Sequence, residues 1–233
     1  MKNNYPEEKQ SLFLQPTRFI DSDSPGVIAF TRETITGCSS DIDRAIKLYY
    51  KIRDMVRYSP YGISFDPEKY KAAWVLEVKT GFCIQKAILL AAAARAAGIP
   101  SRLGFADVRN HLATERLKAL MKTDEFIFHG YTELFLAGKW VKATPAFNLA
   151  LCEKFGVKPL EFDGRNDSIF HPFDETGNKH MEYIRDHGIY ADFPLEKMIR
   201  ALKVGYPHLY SKDGLGWPGE GDFEKEAEET RRG

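Results

Sequence analysis

The chain has 233 residues, 43% of them hydrophobic and 28% charged, which suits one domain with a single sizeable core. Its 33 basic and 33 acidic residues cancel, so no net field favours a nucleic acid or an anionic membrane as partner, although a local basic patch stays open. Residues 1–8 lack the apolar stretch of a signal peptide, and no apolar run approaches the roughly 20 residues of a membrane span. We therefore expect a cytoplasmic protein with no membrane partner.

The first third of the chain predicts an arm, a helix and a loop before a shorter helix. Residues 11–36 contain two apolar segments around a turn-forming sequence, which predicts a short strand and an extended arm. Good N-cap residues then precede a helix whose apolar positions recur at helical spacing over 42–56. Two prolines and a glycine predict a loop over 58–67, and 68–79 is expected to form a short helix that carries Trp74.

The most informative segment is 80–83, Thr-Gly-Phe-Cys, because an unbroken helical run over 84–97 follows it. Apolar residues surround most of this helix, which predicts a central buried position. Cys83 lies in its first turn, where free backbone N–H groups and the helix dipole favour thiolate over thiol. A nucleophile is therefore one prediction for Cys83, and inert packing, which is common for a lone cysteine, is the other.

Strand patterns appear after this helix. Residues 101–106 predict a strand and 111–121 a helix. The segments 126–136 and 139–144 then predict a hairpin that turns at residues 137–138, an Ala-Gly pair. The order of elements is therefore rich in helix first and in strand later.

The position of the turn fixes the register of the hairpin. Leu136 pairs with Lys139, and continuing the count puts Tyr131 opposite Thr144. Because side chains alternate with period two along a strand, His129, Tyr131 and Thr144 share one face of the sheet. Thr144 lies diagonal to His129 and is therefore placed to hold its imidazole.

The remaining chain is divided into short segments by prolines. Helices are expected around 181–186 and over 195–204. From residue 211 onward glycines and charged residues outnumber apolar ones, so 211–233 is expected to form a mobile or loosely docked tail. We expect one domain over 1–210.

Cysteine and histidine usage predicts neither a disulfide framework nor a metal centre. The three cysteines are odd in number and lack the spacing of zinc ligands, so Cys38 and Cys152 are interpreted as packing or incidental thiols. One mixed set of zinc-binding residue types lies in an irregular segment and matches no metal signature, so ordinary loop residues are the better interpretation. The set consists of His171, Asp174, His180 and Glu182. We expect no metal and no cofactor.

Three segments of the sequence form a recognisable set. They are Gly81-Phe82-Cys83, residues 94–102, and His129-Gly130-Tyr131-Thr132-Glu133 followed by Gly138-Lys139-Trp140. Together they resemble the transglutaminase-like superfamily of papain-like cysteine enzymes, and bacterial transglutaminase-like domain proteins among them, over a core at about 40–150. The resemblance implies an α+β fold in which N-terminal helices and a central Cys-bearing helix pack on an antiparallel β-sheet.

The resemblance also implies roles for individual residues. Cys83 matches the nucleophile of the family and His129 the general acid and base. Thr144 falls where the family usually has an Asp, with Trp140 and Pro145 in register around it. A Thr hydroxyl can accept the imidazole N–H bond and fix the tautomer, but it cannot stabilise imidazolium by charge.

This departure leaves three alternatives open. The enzyme works with a Cys–His dyad, another side chain orients His129, or catalysis has been lost. Asn148, Asp107 and Asp163 are candidates for orienting the ring, and Thr144 ranks before them by its place in the hairpin.

The residues and the resemblance predict acyl transfer on amide bonds through a Cys83 thioester, with peptide or amide hydrolysis favoured over crosslinking. The backbone N–H of Cys83 is the expected oxyanion donor, Tyr58 or Trp74 is a candidate side-chain donor, and Tyr131 and Asn148 are further cleft candidates. The partner is expected to be a peptide or protein amide, and the oligomeric state stays open. The alternatives are a catalytically silent domain that binds peptides or proteins, and an amine-accepting transglutaminase.

Overall fold

A computed structural model describes residues 11–110, 113–169, 181–211, 214–218 and 221–232. Within these ranges the helices are α1 (Pro25–Thr34), α2 (Asp41–Met55), α3 (Ala72–Val78), α4 (Cys83–Ala96), α5 (Glu115–Met121), α6 (Leu149–Phe155), α7 (Leu195–Gly205) and α8 (Phe223–Arg232). The strands are β1 (Arg57–Tyr58), β2 (Thr80–Gly81), β3 (Ser101–Asn110), β4 (Glu125–Leu136), β5 (Lys139–Ala143), β6 (Met181–Tyr190), β7 (Tyr210–Ser211) and β8 (Gly214–Leu215).

The main sheet has the strand order β5-β4-β3-β6, and each neighbouring pair is antiparallel. Helix α4 packs on this sheet and is buried from Cys83 through Arg95, as its apolar circumference predicts. Two hydroxyls attach it to the strands: Thr132 Oγ1 donates to the carbonyl of Ala87 at 2.8 Å, and Ser101 Oγ donates to that of Ala91 at 2.8 Å. The predicted α+β fold with a Cys-bearing helix on an antiparallel sheet is confirmed.

Helix α2 is held against α4 by a buried lysine. Lys86 Nζ donates to the carbonyl of Arg53 at 2.8 Å and to that of Val56, at the C-terminal end of α2. Both carbonyls lie where a helix runs out of its own donors, so the ammonium replaces missing backbone N–H groups. Burial lowers the pKa of Lys86 to about 7.

The predicted hairpin is present with the predicted register. Leu136 pairs with Lys139, and the pairing continues to Thr132 opposite Ala143. Ala137 and Gly138 both have positive φ values, 48° and 82°, as a tight two-residue turn requires. Strand β5 ends at Ala143, one residue before Thr144.

Two secondary-structure predictions are wrong. Residues 25–34 form α1 instead of part of an extended arm, because Ser24 Oγ accepts the N–H of Val27 and Pro25 occupies the first helical turn. The segment expected to be helical around 181–186 lies in β6, whose pairing with β3 runs from Leu103 to Asn110. In both segments the turn residues and the short apolar pattern are compatible with either a helix or a strand. Contacts with the rest of the fold determine which of the two forms.

The expected loose tail differs from the structure at α8. Phe223 and Ala227 are spaced one helical turn apart and are 3% and 0% exposed, so α8 buries an apolar edge. Its acidic residues pair with cations of the domain: Glu226 with Arg116 at 2.8 Å and Glu224 with Lys154 at 3.0 Å. The expected boundary at residue 210 therefore does not separate a solvated tail from the packed structure. The prediction of a loose tail rested on composition, which does not register the helical spacing of the few apolar residues.

No helix in the described part of the chain has both the length and the apolar character needed to cross a membrane.

Candidate active site

Cys83 is the first residue of α4 and is 8% exposed. Gln85 caps the start of the helix, because its Oε1 accepts a hydrogen bond from the N–H of Phe82 at 3.1 Å. The Nε2 of Gln85 donates to the carbonyl of Lys69 at 2.8 Å and so ties the preceding loop to the same turn. The thiol thus sits on a helix start that is fixed from both sides.

A glycine lets the sheet approach this helix start. A Cβ atom at Gly130 would lie 3.1 Å from the Cα of Ile84, a backbone atom that cannot give way easily. Strand β4 therefore passes close to the first turn of α4, and a larger residue than glycine would crowd the helix at that point. His129 is the preceding residue of the strand, and it lines the same cleft as Cys83.

Backbone donors surround the thiol, and no cation among the residues that the structure describes affects its pKa. The N–H groups of Cys83, Ile84 and Gly130 lie within hydrogen-bonding reach of the sulfur and each lowers the pKa of the thiol. Burial acts in the opposite direction and is the larger effect, so the pKa of Cys83 is raised to about 11. Burial therefore acts against the thiolate that the helix start favours, because the helix-terminal N–H groups do not offset the desolvation of a sulfur anion.

His129 is buried as well, with 6% of its surface exposed. Burial lowers the pKa of its imidazole to about 4, so the ring is neutral at physiological pH. The ring makes no hydrogen bond to the residues that the structure describes. Cys83 and His129 line the same cleft, and the two groups face it as neutral thiol and neutral imidazole.

Thr144 lies on the other side of His129. The two residues line a second, small cavity together with Ala146 and Phe147. The backbone of Thr144 is fixed, since its N–H donates to the carbonyl of Ser168 at 2.8 Å. Its Oγ1 is buried and has no hydrogen-bond partner among the described residues. His129 thus lines one cavity with Cys83 and another with Thr144, and no Asp or Glu among the described residues lines either cavity.

A β-bulge directly precedes His129. Ile127 and Phe128 lie together opposite Asp107, and Phe128 adopts a left-handed conformation with φ of 64°. Asp107 Oδ1 accepts the N–H of Phe128 at 2.9 Å, and His187 Nε2 lies 2.6 Å from the same oxygen. Asp107, one of the candidates for orienting the ring, therefore holds the backbone beside His129 instead of its imidazole.

Tyr58, a candidate side-chain donor, lies at the same cleft as Cys83. It is 4% exposed, lines the cleft with Cys83 and packs edge-on against Phe147 with ring centroids 4.8 Å apart. Burial and, after it, the neighbouring thiol raise the pKa of Tyr58 well above its ordinary value, so its hydroxyl stays a neutral donor.

The other two aromatic candidates lie elsewhere. Trp74 belongs to α3 and does not line the cleft of Cys83. Tyr131 covers Gly104 on the next strand, where a Cβ atom would come within 2.2 Å of its ring. His129 and Tyr131 pair in regular register with Ala106 and Gly104, so they share a face of β4, but neither Tyr131 nor Trp74 lines the cleft of Cys83.

The two remaining polar candidates are engaged in other contacts. Asn148 Oδ1 accepts the N–H of Tyr58 at 3.0 Å, and its Nδ2 donates to Glu224 at 3.1 Å. Asp163 accepts the N–H groups of residues 165 and 166 in a local turn. Neither side chain orients His129. Asn148 instead supports the strand that carries Tyr58.

The sequence reasoning missed the C-terminal wall of the cleft. Met198 and Leu202 from α7 line it, as do Tyr206 and Trp217. Trp217 is held there by its Nε1, which donates to the carbonyl of Pro60 at 2.9 Å. The available signals were the four-residue spacing of Met198 and Leu202 and a lone tryptophan in a polar segment.

Among the described residues, His, Cys, Asp and Glu side chains form no group of three or more that could hold a metal ion. Of the mixed set weighed as zinc ligands, Glu182 lies in β6. His171, Asp174 and His180 lie outside the described residues.

The protonation states predict how Cys83 reacts with iodoacetamide. With a thiol pKa of about 11, about one molecule in ten thousand carries the thiolate at pH 7, and the fraction grows about tenfold per pH unit. Labelling of Cys83, followed by peptide mass spectrometry, should therefore rise steadily from pH 6 to 9.5. The partly exposed Cys38 serves as the internal reference. A plateau of the Cys83 rate below pH 7 would contradict this result, because it would indicate a thiolate–imidazolium pair.

The chain is similar to one protein family and, more distantly, to two solved structures. The profile of the Transglutaminase-like superfamily matches residues 28–145, half of the chain. A proposed cysteine protease from Cytophaga hutchinsonii has a similar crystal structure at 15% identity and a TM-score of 0.49, covering 80% of this chain and 55% of its own. A proposed protease from Parabacteroides distasonis is similar at 17% identity and a TM-score of 0.38, covering 57% of this chain and 26% of its own. No curated protein matches the sequence. By the profile match and the fold, the chain belongs to the Transglutaminase-like superfamily.

Proposed function

We propose that the protein is a cysteine-dependent enzyme that transfers the acyl group of an amide to water through a thioester at Cys83. The observation that carries the proposal is the shared cleft: the thiol at the start of α4 and the imidazole of His129 both open into it. The superfamily match over residues 28–145 supports the same chemistry.

The first half of the reaction forms the thioester. His129 removes the thiol proton as the sulfur of Cys83 attacks the amide carbon, so no thiolate has to exist beforehand. The oxyanion that forms is stabilised by the backbone N–H of Cys83 or Ile84 and by the neutral hydroxyl of Tyr58. The C–N bond then breaks, and His129 returns its proton to the leaving amine.

The second half releases the product. Water attacks the thioester carbon while His129 accepts one of its protons, and the bond between sulfur and carbon breaks. The proton returns to the sulfur, which restores the neutral pair of the free enzyme. A primary amine in place of water would give a new amide, which is the transglutaminase alternative.

The neutral pair also favours a second candidate function. No charged side chain among the described residues pairs with His129, and such a cleft could bind a peptide without cleaving it. A catalytically silent domain would hold its ligand non-covalently and leave Cys83 unmodified.

Intact-protein mass spectrometry with p-nitrophenyl acetate separates these functions. The proposal expects an acetyl adduct that maps to Cys83, forms in the wild type and in Cys38→Ser, and is absent in Cys83→Ala. The adduct should decay in water, and methylamine added after removal of the ester should speed this decay beyond its effect on a free thioester if an amine is the natural acceptor. Acetylation of Cys83 no faster than that of Cys38 would indicate the silent domain.

A further inference from the structure

The cleft in front of the thiol is apolar. It encloses about 480 Å³, counting the space open to solvent at its mouth. The side chains of Ile63, Leu117, Met121, Met198, Leu202 and Trp217 form most of its wall. None of the described residues that line it carries a charged side chain.

The polar atoms on its aromatic residues are mostly engaged already. The hydroxyl of Tyr206 donates to the carbonyl of Glu125 at 2.7 Å and accepts the N–H of Ile127 at 2.9 Å. The indole N–H of Trp217 is bonded to the carbonyl of Pro60. Of the side chains that line the cleft in the described part of the chain, the thiol, the imidazole and the hydroxyl of Tyr58 remain to bind a polar group, and the reaction uses all three.

The remaining wall therefore selects against charge. A carboxylate or ammonium placed in the cleft would lose its hydration and gain no partner. An apolar group would displace water molecules from apolar surfaces that bind water poorly. The cleft thus distinguishes substrates by the chemistry of the group beside the reacting carbonyl.

The position of His129 decides which part of the substrate occupies the cleft. The leaving amine has to lie next to His129, which protonates it. His129 separates the apolar cleft from the small cavity of Thr144, so the apolar cleft is left for the acyl part. Phe82 and Ile84, the chain neighbours of the nucleophile, also line this cleft.

Building on the proposed function, we infer that the substrate is an amide whose acyl part carries an apolar side chain next to the reacting carbonyl. Acyl groups with a charged side chain at that place are excluded. Helix α7 and the segment that carries Trp217 set the size of the group, so specificity resides in the C-terminal part of the chain.

Alkylation of Cys83 tests this inference without requiring turnover. The probes are iodoacetamide, N-hexyl iodoacetamide and iodoacetate, and each rate is divided by the rate of the same probe with glutathione. We expect the hexyl probe to label Cys83 about tenfold faster than iodoacetamide, since several buried methylenes favour it, and iodoacetate to label it at least about tenfold more slowly. Equal normalised rates for the three probes would overturn the inference.

A pair of tryptophan variants locates the selectivity. Trp217→Ala should reduce the preference for the hexyl probe several-fold, whereas Trp74→Ala, at a tryptophan outside the cleft, should keep it. Leu202→Ala shortens the same wall and is the second variant if Trp217→Ala fails to fold by circular dichroism. If both folded cleft variants keep the full preference, the probe binds elsewhere and the inference fails.

The proposed function can fail separately. In that case the apolar preference in labelling persists while p-nitrophenyl acetate leaves no adduct on Cys83. If the enzyme is active, N-acetyl-leucine p-nitroanilide should be cleaved with a kcat/KM at least about tenfold above that of the N-acetyl-glutamate compound. The reverse order would overturn the inference and leave the function intact.

Discussion

Replacement of His129 by glutamine is expected to lower the rate of Cys83 acylation by about a hundredfold to ten-thousandfold. The thiol has a pKa of about 11 in this site, so it needs a base at the moment of attack. A glutamine side chain fits a polar buried position but cannot accept the thiol proton. The rate of the p-nitrophenyl acetate adduct at Cys83, measured at pH 7.5, reports the loss.

A matched control is available at His208. This residue is exposed, and its Nε2 lies 2.8 Å from the carbonyl of Leu120, away from the cleft. His208→Gln should therefore acylate at the wild-type rate. If His129→Gln stays within about twofold of the wild type while both variants are folded, His129 is not the general base of the reaction.

The loss in His129→Gln should shrink as the pH rises. Hydroxide increasingly supplies the thiolate as the pH approaches about 11, so the general base becomes less necessary. A structural defect at position 129 would instead lower the rate by a similar factor at every pH. The pH profile thus separates proton transfer from damage to the cleft.

The helix and the hairpin could be predicted from the sequence because their signals are local. The apolar circumference of 84–97 indicates burial whatever surrounds it, and the turn at 137–138 fixes the register of both strands. Cys83 and His129 follow directly from these two elements. The side of the strand on which His129 lies does not follow from them.

The bulge before His129 is what the strand pattern could not predict. Its left-handed residue is Phe128, a residue type that rarely adopts this conformation, and the N–H of Phe128 is bonded to Asp107, 21 positions earlier in the chain. Its effect is local, because regular pairing resumes at His129, which lies opposite Ala106. The contact with Asp107 is a tertiary one, so no local pattern marks it.

The C-terminal part of the cleft was missed for a different reason. The composition of 211–233 predicts little burial, yet Phe223 lies against Tyr58 with ring centroids 5.7 Å apart. One or two apolar residues at the right spacing are enough to dock a short helix when the surrounding charges find partners. The composition of a segment averages over such positions and therefore underestimates how much of the segment is buried.

The protonation states of Cys83 and His129 depend on two opposing effects, charge stabilisation and desolvation, whose relative size the sequence does not show. A helix start favours a thiolate and a neighbouring imidazole favours it further, but both effects act against desolvation. In this protein the thiol and the imidazole are each buried, and the residue beyond the imidazole is uncharged Thr144. The balance therefore favours the neutral pair, and one carboxylate at position 144 is expected to change it.

Thr144→Asp should convert the neutral pair into a charged one. The carboxylate would lie beside His129, where an opposite charge in a buried site raises the pKa of the imidazole from about 4 toward its ordinary value. The imidazolium in turn favours the thiolate of Cys83. Labelling by iodoacetamide at pH 7 should rise at least about tenfold, and acylation should rise with it. The change removes no hydrogen bond, since Thr144 Oγ1 has no partner among the described residues.

Thr144→Asn is the matched control, because it has the size of Asp without the charge. Its amide can orient His129 but cannot stabilise imidazolium, so its labelling rate at pH 7 should stay within about threefold of the wild type. An equal rise in the Asn and Asp variants would mean that orientation of the ring, and not charge, limits the reactivity of Cys83. No rise in either, with both proteins folded, would mean that the side chain at 144 does not reach His129.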